Sequence, residues 1–164
     1  MVYQLSEQLD DIGNAKYAFD AYREYLKTNK ERIPQSVLNI IDSEDWYGGS
    51  MSKAPYYCHL ESLELRDYGK KTANLTLNLI KRDYREKPFT LKIVYQGLSE
   101  FDLPGQHSVS DSAHIWRYNE FLFFDPWHRY NINEKMFTHK IEWVDGNVWT
   151  ISAREIQVDW KEIE

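Results

Sequence analysis

Residues 137–160 read FTHKIEWVDGNVWTISAREIQVDW and carry three of the six tryptophans of the chain. Phe137, His139, Ile141 and Trp143 alternate with Thr138, Lys140, Glu142 and Val144; past Asp145-Gly146, Trp149, Ile151 and Ala153 alternate with Thr150 and Ser152. A period of two with one apolar face predicts two strands joined by a tight turn. The turn type decides the fold, because a slip of one residue moves every side chain to the other face. A two-residue Asp-Gly turn would pair Val144 with Asn147 and leave Trp149 beside Glu142, splitting the apolar set. A three-residue loop at 144–146, with Gly146 left-handed as a bulge, pairs Trp143 with Asn147, Ile141 with Trp149, His139 with Ile151 and Phe137 with Ala153. That register puts all the large apolar groups on one face, and it is the one expected. Ile156, Val158 and Trp160 have the opposite parity, so a bulge or bend is expected at Arg154-Glu155.

Working outward, residues 72–82 show the clearest alternation, Ala73, Leu75, Leu77 and Leu79 against Asn74, Thr76 and Asn78; Phe89, Leu91, Ile93 and Tyr95 repeat it. Further strands are expected over about 58–67, before a turn at Tyr68-Gly69, and over about 113–124. Residues 97–105 break the pattern. Ahead of the strands, Ala15, Ala18, Phe19, Tyr22, Tyr25 and Leu26 recur at helical spacing behind Asn14 as a candidate cap. Pro34 is placed to open a shorter helix with Val37, Leu38, Ile40 and Ile41. Helices first and strands afterwards predict an α+β fold. Its expected form is an N-terminal helical layer on a strongly bent, half-barrel-like antiparallel meander of six or seven strands, in a single domain spanning 1–164.

Twenty-five aromatic residues make that core rich in rings, and the formal charge of −6 disfavours nonspecific attraction to nucleic acid or anionic lipid. Residues 66–92 hold eight Lys/Arg against three Asp/Glu. Lys70-Lys71 and Arg82, Arg85, Lys87 would stand at opposite ends of a strand, roughly 30 Å apart, as solvated turn residues do rather than as a nucleic-acid patch. No stretch has the length of a membrane span. The single Cys58 and an N-terminus without a basic-then-apolar run point to the cytoplasm.

Candidate chemistry is sparse. His59, His107, His114, His128 and His139 lie apart without metal-ligand spacing, so no metal and no cofactor is expected. His139 falls on the apolar face, where a half-buried, hydrogen-bonded histidine is the ordinary explanation. Glu61 becomes a general-acid candidate beside His139 if strand one is regular; a bulge at Glu61-Ser62 would return it to water. Cys58 and His59 point to opposite faces of one strand and cannot form a nucleophile–base pair. The run Phe121-Leu122-Phe123-Phe124-Asp125-Pro126-Trp127-His128-Arg129-Tyr130 exceeds what one strand face buries. Trp127, Arg129 and Tyr130, with Trp46 and Tyr47 of the loop after the helices, are therefore the candidate binding residues, being types that anchor interfaces.

Pro55 followed by Glu61-Ser62-Leu63, then Ile93-x-Tyr95-x-Gly97-Leu98-x-x-Phe101-x-Leu103, then His139-x-Ile141-Glu142-Trp143-x-x-Gly146-x-x-Trp149-x-Ile151, then Glu155-Ile156 with Trp160, are similar in order and spacing to a group of small bacterial proteins. The resemblance covers most of 14–160 and implies a bacterial source and one domain, without an activity. Where the group carries Pro-His-Asp and a tryptophan ahead of the Glu-Ser-Leu segment, this chain has Tyr56, Tyr57 and His59 instead. The sequence thus favours a non-enzymatic protein-binding module, immunity- or antitoxin-like or self-associating, with a protein partner or a second copy as its ligand. The competing class is a small-molecule or carbohydrate binder, or a weak hydrolase, using the concave face of the sheet with Glu61 and His139.

Overall fold

The computed structural model of the protein describes residues 15–43 (side chains from Asp20 onward), 46, 54–81, 88–105, 114–123 and 135–163. Two α-helices come first, α1 (Ala15–Thr28) and α2 (Gln35–Asp42), joined through a 3-10 turn at Lys30–Arg32. α1 buries Tyr22 and Leu26 one turn apart, and α2 buries Val37 and Ile41 at the same spacing. Pro34 occupies the position just before α2, where its fixed φ and missing N–H cost nothing. The expected cap Asn14 lies outside the described residues.

Eight antiparallel strands follow among the described residues: β1 (His59–Arg66), β2 (Asn74–Lys81), β3 (Phe89–Gln96), β4 (Glu100–Asp102), β5 (Trp116–Leu122), β6 (Phe137–Trp143), β7 (Val148–Ala153) and β8 (Glu155–Glu162). They form two four-stranded sheets, ordered β1-β2-β3-β8 and β4-β7-β6-β5, and no closed barrel. The expectation of six or seven strands in one bent meander is corrected on both counts. The additional strand is β4, three residues in the stretch that had read as patternless. The division into two sheets arises because β3 takes the distant β8 as its neighbour rather than β4.

The hairpin has the bulged register. Ile141 pairs with Trp149, His139 with Ile151 and Phe137 with Ala153. The Trp143 N–H donates to Asn147 O (2.9 Å), the Gly146 N–H to Trp143 O (2.9 Å), and Gly146 has φ +91°, a conformation that costs glycine little. Asp145 braces the turn by accepting from the Asn147 N–H (2.9 Å). The ribbon breaks where expected, at Arg154, whose N–H turns to Gln96 O of the first sheet (3.1 Å). The consecutive strands β7 and β8 thereby fall in different sheets, and Ile156 returns to the core on the new parity.

The apolar faces of the two sheets share one core. The first supplies Leu75, Leu77, Leu79, Leu91 and Ile93; the second supplies Trp116, Phe121, Phe137, Ile141, Trp143, Trp149 and Ile151. α2 packs on β8. α1 reaches the open edge of β5, where the Tyr22 hydroxyl donates to Phe121 O (2.6 Å) and accepts from the Phe121 N–H (2.5 Å). A single side chain thus satisfies both edge groups of Phe121, as a neighbouring strand would. Among the described residues no helix is long and apolar enough to cross a membrane.

Candidate functional site

His139 sits at the centre of the core, fully buried between the two sheets. It is placed there by the alternation of β6, opposite Phe121 on β5 and Ile151 on β7. Phe121 stacks flat on the imidazole, centroids 4.3 Å apart at 9°. Trp116 and Trp46 stand 5.7 Å and 6.3 Å away. Both ring nitrogens are engaged: Nδ1 is 2.6 Å from the Tyr95 hydroxyl and Nε2 is 2.8 Å from Asn119 Oδ1. The same Asn119 oxygen lies 3.0 Å from Trp46 Nε1.

One chemical fact orients the whole chain of bonds. An indole N–H can only donate, so the Asn119 atom facing Trp46 must be the carbonyl oxygen. An oxygen can only accept, so His139 Nε2 carries a proton and donates it. His139 Nδ1 then accepts from the Tyr95 hydroxyl. The imidazole, kept neutral by its burial, is the Nε2–H tautomer.

Burial supplies the energetic counterpart. Desolvation lowers the His139 pKa to about 3 and pushes the Tyr95 phenol well above its ordinary value. Both groups are held neutral across the physiological range. The ring is sealed from solvent and kept neutral by desolvation, and its bonds to Tyr95 and Asn119 tie the two sheets together.

Glu61 is exposed and does not join His139. The β1 register shifts between Leu60 and Ser62, and the bulge turns the carboxylate to solvent. Cys58 is a buried free thiol, its pKa raised by desolvation to about 12, far from the thiolate a nucleophile needs. Trp46, expected as an exposed anchor, is instead in the core, held by Asn119 and packed edge-on to Trp116 at 6.1 Å. Tyr47, Trp127, Arg129 and Tyr130 lie outside the described residues. Among the described residues, no three His, Cys, Asp or Glu side chains gather as metal ligands would.

Two features escaped the sequence reading. Asn119 is the acceptor on which the buried chain turns; its signal was its parity, since it shares the apolar face of β5 with Phe121. The other is an exposed ring pair. Tyr56 and Tyr57 are 39% and 58% exposed, their centroids 4.1 Å apart and their hydroxyls 3.4 Å apart. The Tyr56 phenol is held above its ordinary pKa, first by that hydrogen bond and then by partial burial. Tyr57 has φ +63°, in a turn closed by the Cys58 N–H donating to Pro55 O (2.9 Å). Its own N–H donates to Trp116 O (2.9 Å), which brings the pair beside Arg117, whose exposed guanidinium is 3.8 Å from Glu142.

Neither protein-family models, nor characterised proteins, nor solved structures match the chain.

Proposed function

We propose that the protein is a non-enzymatic protein-binding module that docks its partner on the Tyr56–Tyr57–Arg117 surface. The observation that carries the reading is Tyr57. A non-glycine residue in the left-handed region costs roughly 1–2 kcal/mol, and glycine would remove that cost. Tyr57 gains only partial burial in exchange, being 58% exposed. Local strain at an exposed tyrosine beside a second tyrosine and an arginine fits a contact surface, since these residue types dominate interface energetics. The competing reading, a pocket that uses Glu61 and His139, lacks support from their positions, one at the surface and one sealed in the core. A cytoplasmic setting belongs to the same reading, with Cys58 a buried free thiol as reducing compartments allow.

The test pairs a binding assay with a melting curve. The immobilised protein is incubated with lysate of its source organism beside a Tyr57→Gly variant and a Tyr56→Ala variant. The expected result is a partner retained by the wild type and lost by both variants, while Tyr57→Gly melts at or above the wild-type temperature. Equal retention of the same partner by all three proteins would overturn the assignment of this surface.

A further inference from the structure

β1 is an edge strand with two unlike halves. Its first half is covered: the Leu60 N–H donates to His114 O, and the Trp116 N–H donates to Cys58 O. Its second half, Ser62–Arg66, has β2 on one side and, among the described residues, no backbone partner on the other. Ser62, Glu64, Leu65 and Arg66 are all exposed there, Leu65 by 37% although it lies on the core-facing side opposite Leu75. An exposed leucine on an edge with no partner among the described residues invites pairing with another strand.

The direction of the edge groups follows from the far side of the sheet. The Ile156 N–H reaches Ser36 Oγ (3.1 Å) on the outer side of β8, so Ile156 and its partner Tyr95 form a pair without mutual hydrogen bonds. Tyr95 then bonds toward β2, Leu75 bonds back to Tyr95, and Leu65, opposite Leu75, turns its N–H and C=O outward. Leu63 has the same parity.

We propose that this edge pairs with β1 of a second copy of the chain, antiparallel, on a two-fold axis through Leu65. In that register the outward groups of Leu65 bond those of Leu65 in the other copy, and the two side chains cover each other on the core side. Glu64 falls opposite Arg66 of the second copy, twice by symmetry. Within one copy these two already attract, Arg66 Nη2 lying 2.9 Å from Glu64 Oε1, both exposed. Charges usually deter edge pairing; here their order makes the edge complementary to itself. The strand leaves the ladder at Asp67, where φ is +54°, so the contact spans residues 63–67 of each copy and the dimer is weak and concentration-dependent. This inference is independent of the Tyr56–Tyr57 surface, which adjoins the opposite end of β1.

Sedimentation velocity on the full chain, from about 10 μM to 1 mM, tests it with three variants. The wild type should shift from monomer to dimer across the series. Glu64→Arg and Arg66→Glu each place like charges opposite one another and should weaken the dimer at least about tenfold. An equimolar mixture of those two variants restores every pair and should sediment as the wild type. The double variant Glu64→Arg/Arg66→Glu, which keeps the pattern self-complementary, should also dimerise and so controls for damage to folding. A wild type that stays monomeric throughout overturns the proposal. So do single variants that dimerise like the wild type, and so does a mixture that remains monomeric.

Discussion

The two sheets meet in one core but fill it by different rules. Apart from the Tyr95 phenol, the first contributes mainly leucine and isoleucine, whose branched side chains need only the right parity and volume. The second contributes indoles, an imidazole and a carboxamide, which also need donors matched to acceptors. The Tyr95–His139–Asn119–Trp46 chain is the price of that chemistry, and it crosses from β3 in the first sheet to β6 and β5 in the second. Apolar packing makes the core dense, while the directed bonds make its arrangement unique.

The largest effect expected from breaking this contrast is at Trp149, fully buried and donating to Pro104 O (2.9 Å). Trp149→Ala should cost about 3–5 kcal/mol by denaturant titration, since it opens a cavity in the core and removes a hydrogen bond. Next comes a matched pair of near-isosteric changes. Asn119→Leu removes the shared acceptor of two buried donors and should cost about 2–5 kcal/mol, whereas Leu77→Met in the first sheet should cost less than about 1.5 kcal/mol. Equal costs would mean that the polar chain adds nothing beyond packing.

Acid sharpens the comparison further. The folded pKa of His139, about 3, lies below the ordinary value of 6.5, so the unfolded chain binds the extra proton between them. The stabilising contribution of the neutral ring is complete above 6.5 and is lost as pH falls toward 3, by roughly 1.4 kcal/mol per pH unit in the middle of that window. A His139→Gln variant should lack this component of the slope when unfolding is followed from pH 7 to 4.

The smallest effect is expected at Trp143. Its indole N–H is buried without a hydrogen-bond partner among the described residues, so Trp143→Phe should change stability by less than about 1.5 kcal/mol. Trp149→Phe should cost more, because it also removes the bond to Pro104 O.

Where alternation and turn chemistry acted alone, the fold was legible in the chain. The hairpin register followed from requiring Trp143 and Trp149 on one face, and their rings now meet at 4.9 Å. The break at Arg154 followed from a parity change. β4 was hidden because three residues carry too little period to read, and the two-sheet division because pairing of β3 with β8 is a long-range choice. Trp46 read as a surface residue because its neighbours are loop formers; its partner Asn119 is 73 residues away, and no local pattern announces such a bond. The Tyr57 backbone was likewise hidden, since turns prefer glycine at that position and tyrosine gives no warning.

The central claim is that Trp46 and Asn119 hold His139 as a neutral Nε2–H imidazole joining the two sheets. Nitrogen-15 NMR of the His139 side chain, recorded from pH 8 to 4.5, tests it most directly. The expected spectrum shows one Nε2–H tautomer with no titration over that range and a slowly exchanging ring proton. A ring that titrates with a midpoint near 6.5, or that carries its proton on Nδ1, would contradict the account.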